Sequence, residues 1–501
     1  MTARARWWAL TAVSLATLMT YLDNNIINVA IPTIQRSLHL SVTGLEWIVS
    51  SYLLVFAGLL LVGGRIADVY GRRRVFLTGL AIFTLSSLTA GLAGSGGVLI
   101  GARAVQGLGA ALLTPATLAI ITHTFTDVRE RTTAIGIWGA IGALGLAIGP
   151  VLGGVISQHI HWGWIFLINV PIGVLTFALA IPFVAESRAQ EQTRRLDIPG
   201  LVTSAVMLFA LTYALIEGHD SGWTSPVIIA AFATSAVAAA LFLAVEARSA
   251  QPMVPLPIFR SSHFSGGIAT MMIWAFGIFG IYFYTSLYLQ DILGFSPTKA
   301  GLAFVPMALC IALAATLAPR VAAVIGSHRT VSLGMLLMVV GLTLFARLGG
   351  GIGYGSLMPG FLVFGLGGGL MTVPVTNSAL EAAPDGHAGI ASALINASRE
   401  VAGLLGVTVI GAVLSAREGV ALRTGAPSHS AFLDGYHLGL WVAIALLAVG
   451  VVVSYVTLRP RAAARHEDLA TTLVPEAGRA SETARVPEQT RVLRAQDVTP
   501  L

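Results

Sequence analysis

The sequence predicts an all-α integral membrane protein, and three observations carry that prediction. Of 501 residues, 55% are apolar and only 10% are charged, where a soluble domain carries about a quarter charged residues. About fourteen apolar stretches are long enough to cross a bilayer. Basic residues fall mainly on one side of the connections between them. Helices satisfy their own backbone groups inside a bilayer, so repeated spans of this length imply a helical bundle.

The apolar cores lie near 7–31, 45–66, 75–94, 97–120, 132–157, 163–184, 197–217, 225–246, 264–289, 299–320, 329–347, 356–380, 388–415 and 437–458. Arg4 and Arg6 precede the first run, which is longer than a signal-peptide core and lacks a cleavage signature, so it reads as a retained helix. Connections on the side of the N-terminus carry Arg72, Arg73, Arg74, Arg129, Arg131, Arg188, Arg194, Arg195, Arg248, Arg260 and Arg329. The other side carries only Arg36, Lys299, Arg347, Arg417 and Arg423. This asymmetry predicts a multi-pass protein of the cytoplasmic membrane with both termini in the cytoplasm. It also accounts for the basic net charge, so no nucleic-acid partner is expected. The single cysteine, Cys310, excludes an internal disulfide and a cysteine-based metal site.

Composition shifts divide the chain into an N-terminal six-helix bundle (1–185), a linker carrying two inserted helices (186–262), a C-terminal six-helix bundle (263–459) and a polar tail (460–501) predicted to be disordered. A weak repeat supports the six-plus-six division. Gly64 to Arg74 aligns with Pro319 to Arg329, pairing Arg65 with Arg320, Gly71 with Gly326 and Arg74 with Arg329, while Asp68 becomes Ala323.

The fifth run holds the densest pattern. Gly145, Gly149 and Gly153 recur every four residues, with Pro150 and Gly154 between and beside them. Such a stripe lets another helix approach closely, and proline removes a backbone donor and bends the helix. The run reads either as ordinary close packing or as a pivot between bundles.

Ionisable residues inside a membrane are costly and mark function. Asp23 lies roughly 13 Å below the outer end of helix one, and Arg103 roughly 9 Å below the same face in helix four, so the two can pair. The pair serves either to lock two helices or to exchange a proton. Glu400 lies near the midplane, with Arg399 beside it and Asn396 one turn earlier. It reads as half of a self-neutralised pair, as a contact for a cationic substrate, or as a second proton carrier. Asn24 and Asn28 share the polar stretch of helix one; Trp274, Tyr282 and Tyr284 on helix nine are candidates for stacking on planar substrates. Asp68 and Asp127 stand near helix ends, where pairing with Arg72 and Arg131 would form a conformational gate; Arg73 is assigned only the general positive bias. No GxxxxGK[ST] loop occurs. No nucleophile motif or metal-ligand set stands out, so neither an enzyme nor a cofactor is expected.

Taken together, these residues resemble the fourteen-helix drug:proton antiporters of the major facilitator superfamily. Gly64 to Arg74 resembles the GxLADRxGRxxxL loop, with Ile66 for leucine and Val69 for arginine. Arg103, Gln106, Gly107, Gly109 and Ala110 match RxxQGxGAA. Gly149, Pro150, Gly153 and Gly154 spell the antiporter motif GPxxGG. Trp164 to Pro171 matches the start of helix six, and Leu196 to Gly200 with Gly222-Trp223 matches landmarks around the extra helices. The resemblance implies two six-helix bundles with helices seven and eight inserted between them, and alternating access in which inward proton flow drives a substrate out. It places Asp23 and Arg103 at the family's acidic and basic positions of helices one and four. Asn25 stands where the family usually has threonine, and Glu400 where many relatives have glutamine. The expected partners are protons, the lipid bilayer and a small amphipathic organic substrate, a drug or an antibiotic. Export of one endogenous metabolite is the alternative. A monomer is expected.

Overall fold

The computed structural model describes residues 3–188, 197–249, 252–347, 353–382 and 388–459. Arg194, Arg195, the start of the Gly349–Gly355 connection and the predicted tail lie outside them. The described residues form helices and the connections between them, with no strand among them.

The helices are α1 (Ala3–Leu38), α2 (Val42–Tyr70), α3 (Arg72–Gly91), α4 (Gly96–Thr124), α5 (Val128–His159), α6 (Trp164–Phe183), α7 (Ile198–Ser221), α8 (Pro226–Arg248), α9 (Ser262–Ile292), α10 (Pro297–Ile325), α11 (Ser327–Ala346), α12 (Tyr354–Glu381), α13 (Ala388–Arg423) and α14 (Ser428–Thr457). Thirteen are long and apolar enough to cross a membrane. The other, α1, has 36 residues, and its apolar run is diluted by Asp23, Asn24, Asn25 and Asn28. Gln290 near the end of α9 meets Val29 near the end of α1, and Gly266 near the start of α9 meets Thr457 at the end of α14, so α1 begins and α14 ends on one face, called here the terminal face.

Side-chain caps set many of the helix starts. Ser41, Ser95, Asp127, Asp197, Ser225, Ser261 and Ser296 each accept a hydrogen bond from a backbone N–H in the first turn of the helix that follows. Those N–H groups would otherwise be orphaned. The aligned glycines of the sequence repeat adopt the same conformation. Gly71 has φ 113° and Gly326 φ 88°, and each donates its N–H four residues back, to Ala67 and Ala322. A side chain at either would be strained.

The glycine stripe of α5 serves two neighbours. A Cβ at Gly145 would stand 2.9 Å from the Leu18 carbonyl oxygen, one at Gly149 would stand 2.8 Å from the Asn25 Cβ, and Gly153 abuts the Ile26 carbonyl. The stripe therefore holds α5 against α1 along the stretch that carries Asp23. Gly154 instead abuts the Pro297 carbonyl, and Gly301 abuts that of Pro150, where α5 crosses the start of α10. The α5 helix runs without interruption through Pro150.

On the face opposite the termini, α1–α6 and α9–α14 are joined by several hydrogen bonds. Gln290 Nε2 donates to the Val29 carbonyl at 2.8 Å, Thr298 N donates to Gln158 Oε1 at 3.0 Å, and Tyr284 OH meets Glu46 Oε1 at 2.8 Å. Helix α7 docks on the same side of α2: Trp47 Nε1 donates to Glu217 at 2.8 Å and Thr43 Oγ1 to Asp220 at 2.7 Å.

Candidate proton and substrate sites

Asp23 is fully buried and sits at the centre of a polar cluster drawn from five helices. Arg103 Nη1 of α4 lies 2.5 Å from Asp23 Oδ2. Gln106 Nε2, one turn further along α4, donates to Asp23 Oδ1 at 2.7 Å and to Ser87 Oγ of α3 at 2.8 Å. Asn169 Nδ2 of α6 donates to the same Oδ1 at 2.9 Å. Arg103 Nε reaches the Ile48 carbonyl of α2 at 3.3 Å, and its guanidinium carbon lies 4.2 Å from the centre of the Tyr52 ring. Three donors converge on one carboxyl group, and one carries a full charge. That suits a carboxylate anion, because a buried charge must be both paired and hydrogen-bonded.

The local causes are readable. α6 is broken between Trp164–Leu167 and Asn169–Phe183, and Asn169 opens the second segment. Gly107 abuts the Tyr52 carbonyl and Gly109 the Phe83 backbone, so α4 sits close to α2 and α3 at the depth of the cluster. Neither Asn169 nor Ser87 stands out in the sequence, and Gln106 does so only as part of the RxxQGxGAA match; Asn169 lies inside the Trp164 to Pro171 stretch, the one signal that points to it.

The second charged group is Arg399–Glu400 on α13. Arg399 Nη2 lies 2.7 Å from Glu400 Oε1, and it also donates to Tyr21 OH of α1 at 3.4 Å. Glu400 is buried, and its Oε2 has no partner among the described residues. The cluster thus spans α1 and α13. Asn28 and Asn396 spend their amides on backbone carbonyls one turn back, those of Asn24 and Ser392. Trp274 is half-buried next to Gly368, and its Nε1 has no partner among the described residues. Tyr282 packs on Phe304 with ring centres 4.3 Å apart.

Three expectations require correction. Tyr284 does not line a cavity: it is fully buried between α9, α2 and α13, bonded to Glu46 and to the Val407 carbonyl. Asp127 pairs with neither Arg72 nor Arg131. Its carboxylate caps α5, accepting from the N–H groups of Arg129 and Glu130 at 3.0 Å each. Asp68 does meet Arg72, at 2.9 Å and one turn apart. Arg73 does more than add positive charge: its Nη2 donates to the Ile181 carbonyl at 2.6 Å, tying α3 to the end of α6.

Residues 13–407 match the Major Facilitator Superfamily. The chain belongs to that family. Major facilitators are membrane transporters, so this is a multi-pass membrane transporter. It is 35% identical over 484 residues to Puromycin resistance protein pur8 of Streptomyces alboniger, covering 94% of this chain and 95% of the relative. It is 37% identical over 415 residues to Multidrug resistance protein Stp of Mycobacterium tuberculosis (strain CDC 1551 / Oshkosh), covering 82% of this chain and 76% of the relative. Among solved structures, the POT family transporter PepTSo superposes with a TM-score of 0.66 at 13% identity, covering 94% of this chain and 99% of that one. At that identity the likeness shows the major facilitator fold alone.

Proposed function

We propose that the chain is a proton-coupled antiporter that exports amphipathic drugs or an antibiotic across the cytoplasmic membrane by alternating access. The observation that carries this reading is the buried Asp23–Arg103 pair with its Gln106 and Asn169 donors, set in a transporter whose relatives are named for resistance to puromycin and to multiple drugs. A carboxylate inside a membrane that is held by movable partners can bind a proton when those partners withdraw. Arg103 is the partner that competes with the proton.

In this reading the terminal face is cytoplasmic, and the contacts on the opposite face close the transporter towards the outside. The halves 1–185 and 263–459 rock around the substrate, with α7 and α8 of the 186–262 segment outside them. Gly145, Gly149, Pro150, Gly153 and Gly154 let α5 slide on α1 and α10. The substrate cavity is lined by Asn24, Asn28, Asn396, Arg399, Trp274 and Tyr282. Glu400 favours cationic compounds, and the Asp68–Arg72 pair forms part of the cytoplasmic gate. The protein acts as a monomer.

The test is export in inverted membrane vesicles against a panel of compounds, with a proton gradient imposed. Gradient-dependent accumulation of several unrelated amphipathic compounds, lost in Asp23→Asn, is expected. Accumulation of a single compound from the panel would favour the dedicated metabolite exporter. Export at wild-type rate by Asp23→Asn would remove Asp23 as the obligatory carrier.

A further inference from the structure

Glu46 is a second buried acid of the first six helices, and neither the sequence reading nor the proposed cycle uses it. Its place near the start of α2 makes it look like an acid at a helix beginning. The tertiary structure puts it elsewhere. It is 3% exposed and lies on the seam where α2 meets α9 and α13 on the face opposite the termini. Its Oε1 is 2.8 Å from Tyr284 OH of α9, and that same hydroxyl is 3.1 Å from the Val407 carbonyl of α13. Gly411 of α13 makes the space, since a Cβ there would collide with both the phenol and the carboxyl oxygen.

Proton counting constrains the state of this group. A tyrosine hydroxyl has one hydrogen to donate and lone pairs with which to accept. Tyr284 OH has two acceptors in reach, Glu46 Oε1 at 2.8 Å and the Val407 carbonyl at 3.1 Å, and its one hydrogen serves only one of them. Both contacts become hydrogen bonds together only when Glu46 carries a proton and donates it to the phenol. The electrostatics agree. On α7 the groups that act on Glu46 are Asp220 and Glu217, both acidic. On α9 and α13 it meets Tyr284 and Gly411. On α4 the nearest cation is Arg103, which is engaged by Asp23 and Gln106. An ionised Glu46 would be buried without a counter-charge, which is strongly unfavourable.

We propose that Glu46 is a second proton-binding site, protonated while α2, α9 and α13 are zipped together and deprotonated when that face opens. The chain Glu46 Oε–H to Tyr284 O–H to Val407 C=O then makes closure of the opposite face conditional on a proton. Parting of the helices exposes the acid to water, where it ionises beside Asp220 and Glu217 and resists re-closure. The inference rests on the alternating-access reading above but not on Asp23 as the carrier, so its test is made in an Asp23→Asn background.

Infrared difference spectra of the purified transporter in lipid nanodiscs at neutral pH should show the carbonyl stretch of a protonated carboxyl group. Glu46→Gln, which keeps shape and neutrality, should delete that band, and Tyr284→Phe should shift it to higher frequency. Spin labels at His39→Cys and Ser428→Cys, both exposed on the opposite face, with Cys310→Ser, read the opening. The distance between them should lengthen as pH rises and stay short at every pH in Glu46→Gln. In Tyr284→Phe the midpoint should fall by about one pH unit, the size of one lost hydrogen bond to the neutral acid. A protonated band that survives Glu46→Gln would overturn the assignment. So would distance distributions that open with pH alike in wild type and both variants.

Discussion

Asn169 donates its side-chain amide to Asp23 across 2.9 Å, although 146 positions separate them in the chain. Asn169 opens the second segment of α6, directly after Ile168. The amide helps to hold the carboxyl group in place beside Arg103. Asn169→Ala should therefore slow proton-driven export several-fold with little change in folded yield. Export at the wild-type rate would show that the contact only packs α6.

The Asp23–Arg103 pair has a different signature in stability. Removing Arg103 leaves a buried carboxylate uncompensated, which costs about 3–5 kcal/mol. Arg103→Ala should lower the unfolding temperature in detergent markedly. Adding Asp23→Asn should recover part of the loss, because the uncompensated charge is gone. Additive losses in the double variant would mean that the two residues act independently.

The α5 stripe can be tested by size. Gly153→Leu puts a branched side chain against the Ile26 carbonyl of α1, and overpacking of this kind costs about 1–3 kcal/mol. Gly97→Ala has open space around it and should be silent. The expected order of thermal stability is wild type equal to Gly97→Ala, both above Gly153→Leu.

The helix-nine aromatics divide by burial. Trp274→Ala and Tyr282→Ala should change which compounds are exported more than they change protein abundance. Tyr284, buried on Glu46, should behave the other way under Tyr284→Ala, losing abundance. Glu400→Gln should reduce the export of cationic compounds relative to neutral ones while leaving gradient dependence in place. Equal effects on both compound classes would place Glu400 outside the substrate site.

The two acids near the terminal face make opposite predictions. Asp68→Asn breaks the ion pair to Arg72 and should change labelling of cysteines introduced on that face. Asp127→Ala removes only a helix cap, a cost of about 1 kcal/mol, and should leave labelling and transport near wild type. A shift in labelling with Asp127→Ala would restore it to the gate.

Much of this protein was legible in one dimension. Long apolar runs must become helices because a bilayer offers backbone groups no other partner. Charges in those runs, such as Asp23, Arg103 and Glu400, stand out because their burial is expensive wherever they finally sit. The helix count, the repeated glycine turn at Gly71 and Gly326, and the family itself follow from such local signals. What the tertiary structure decided is which polar groups meet. Gln106, Ser87 and Asn169 are neutral and compatible with any helix face, so only the crossing of α1, α3, α4 and α6 makes them partners of Asp23. Glu46 reads as a helix-start acid until α9 and α13 close over it with Tyr284, 238 positions away. Asp127 reads as a gate until its carboxylate is found capping its own helix. Helix formation depends on neighbours three and four residues apart, which the chain order contains. Pairing between helices depends on rotation, depth and tilt, which are set only when all the packing surfaces are satisfied together.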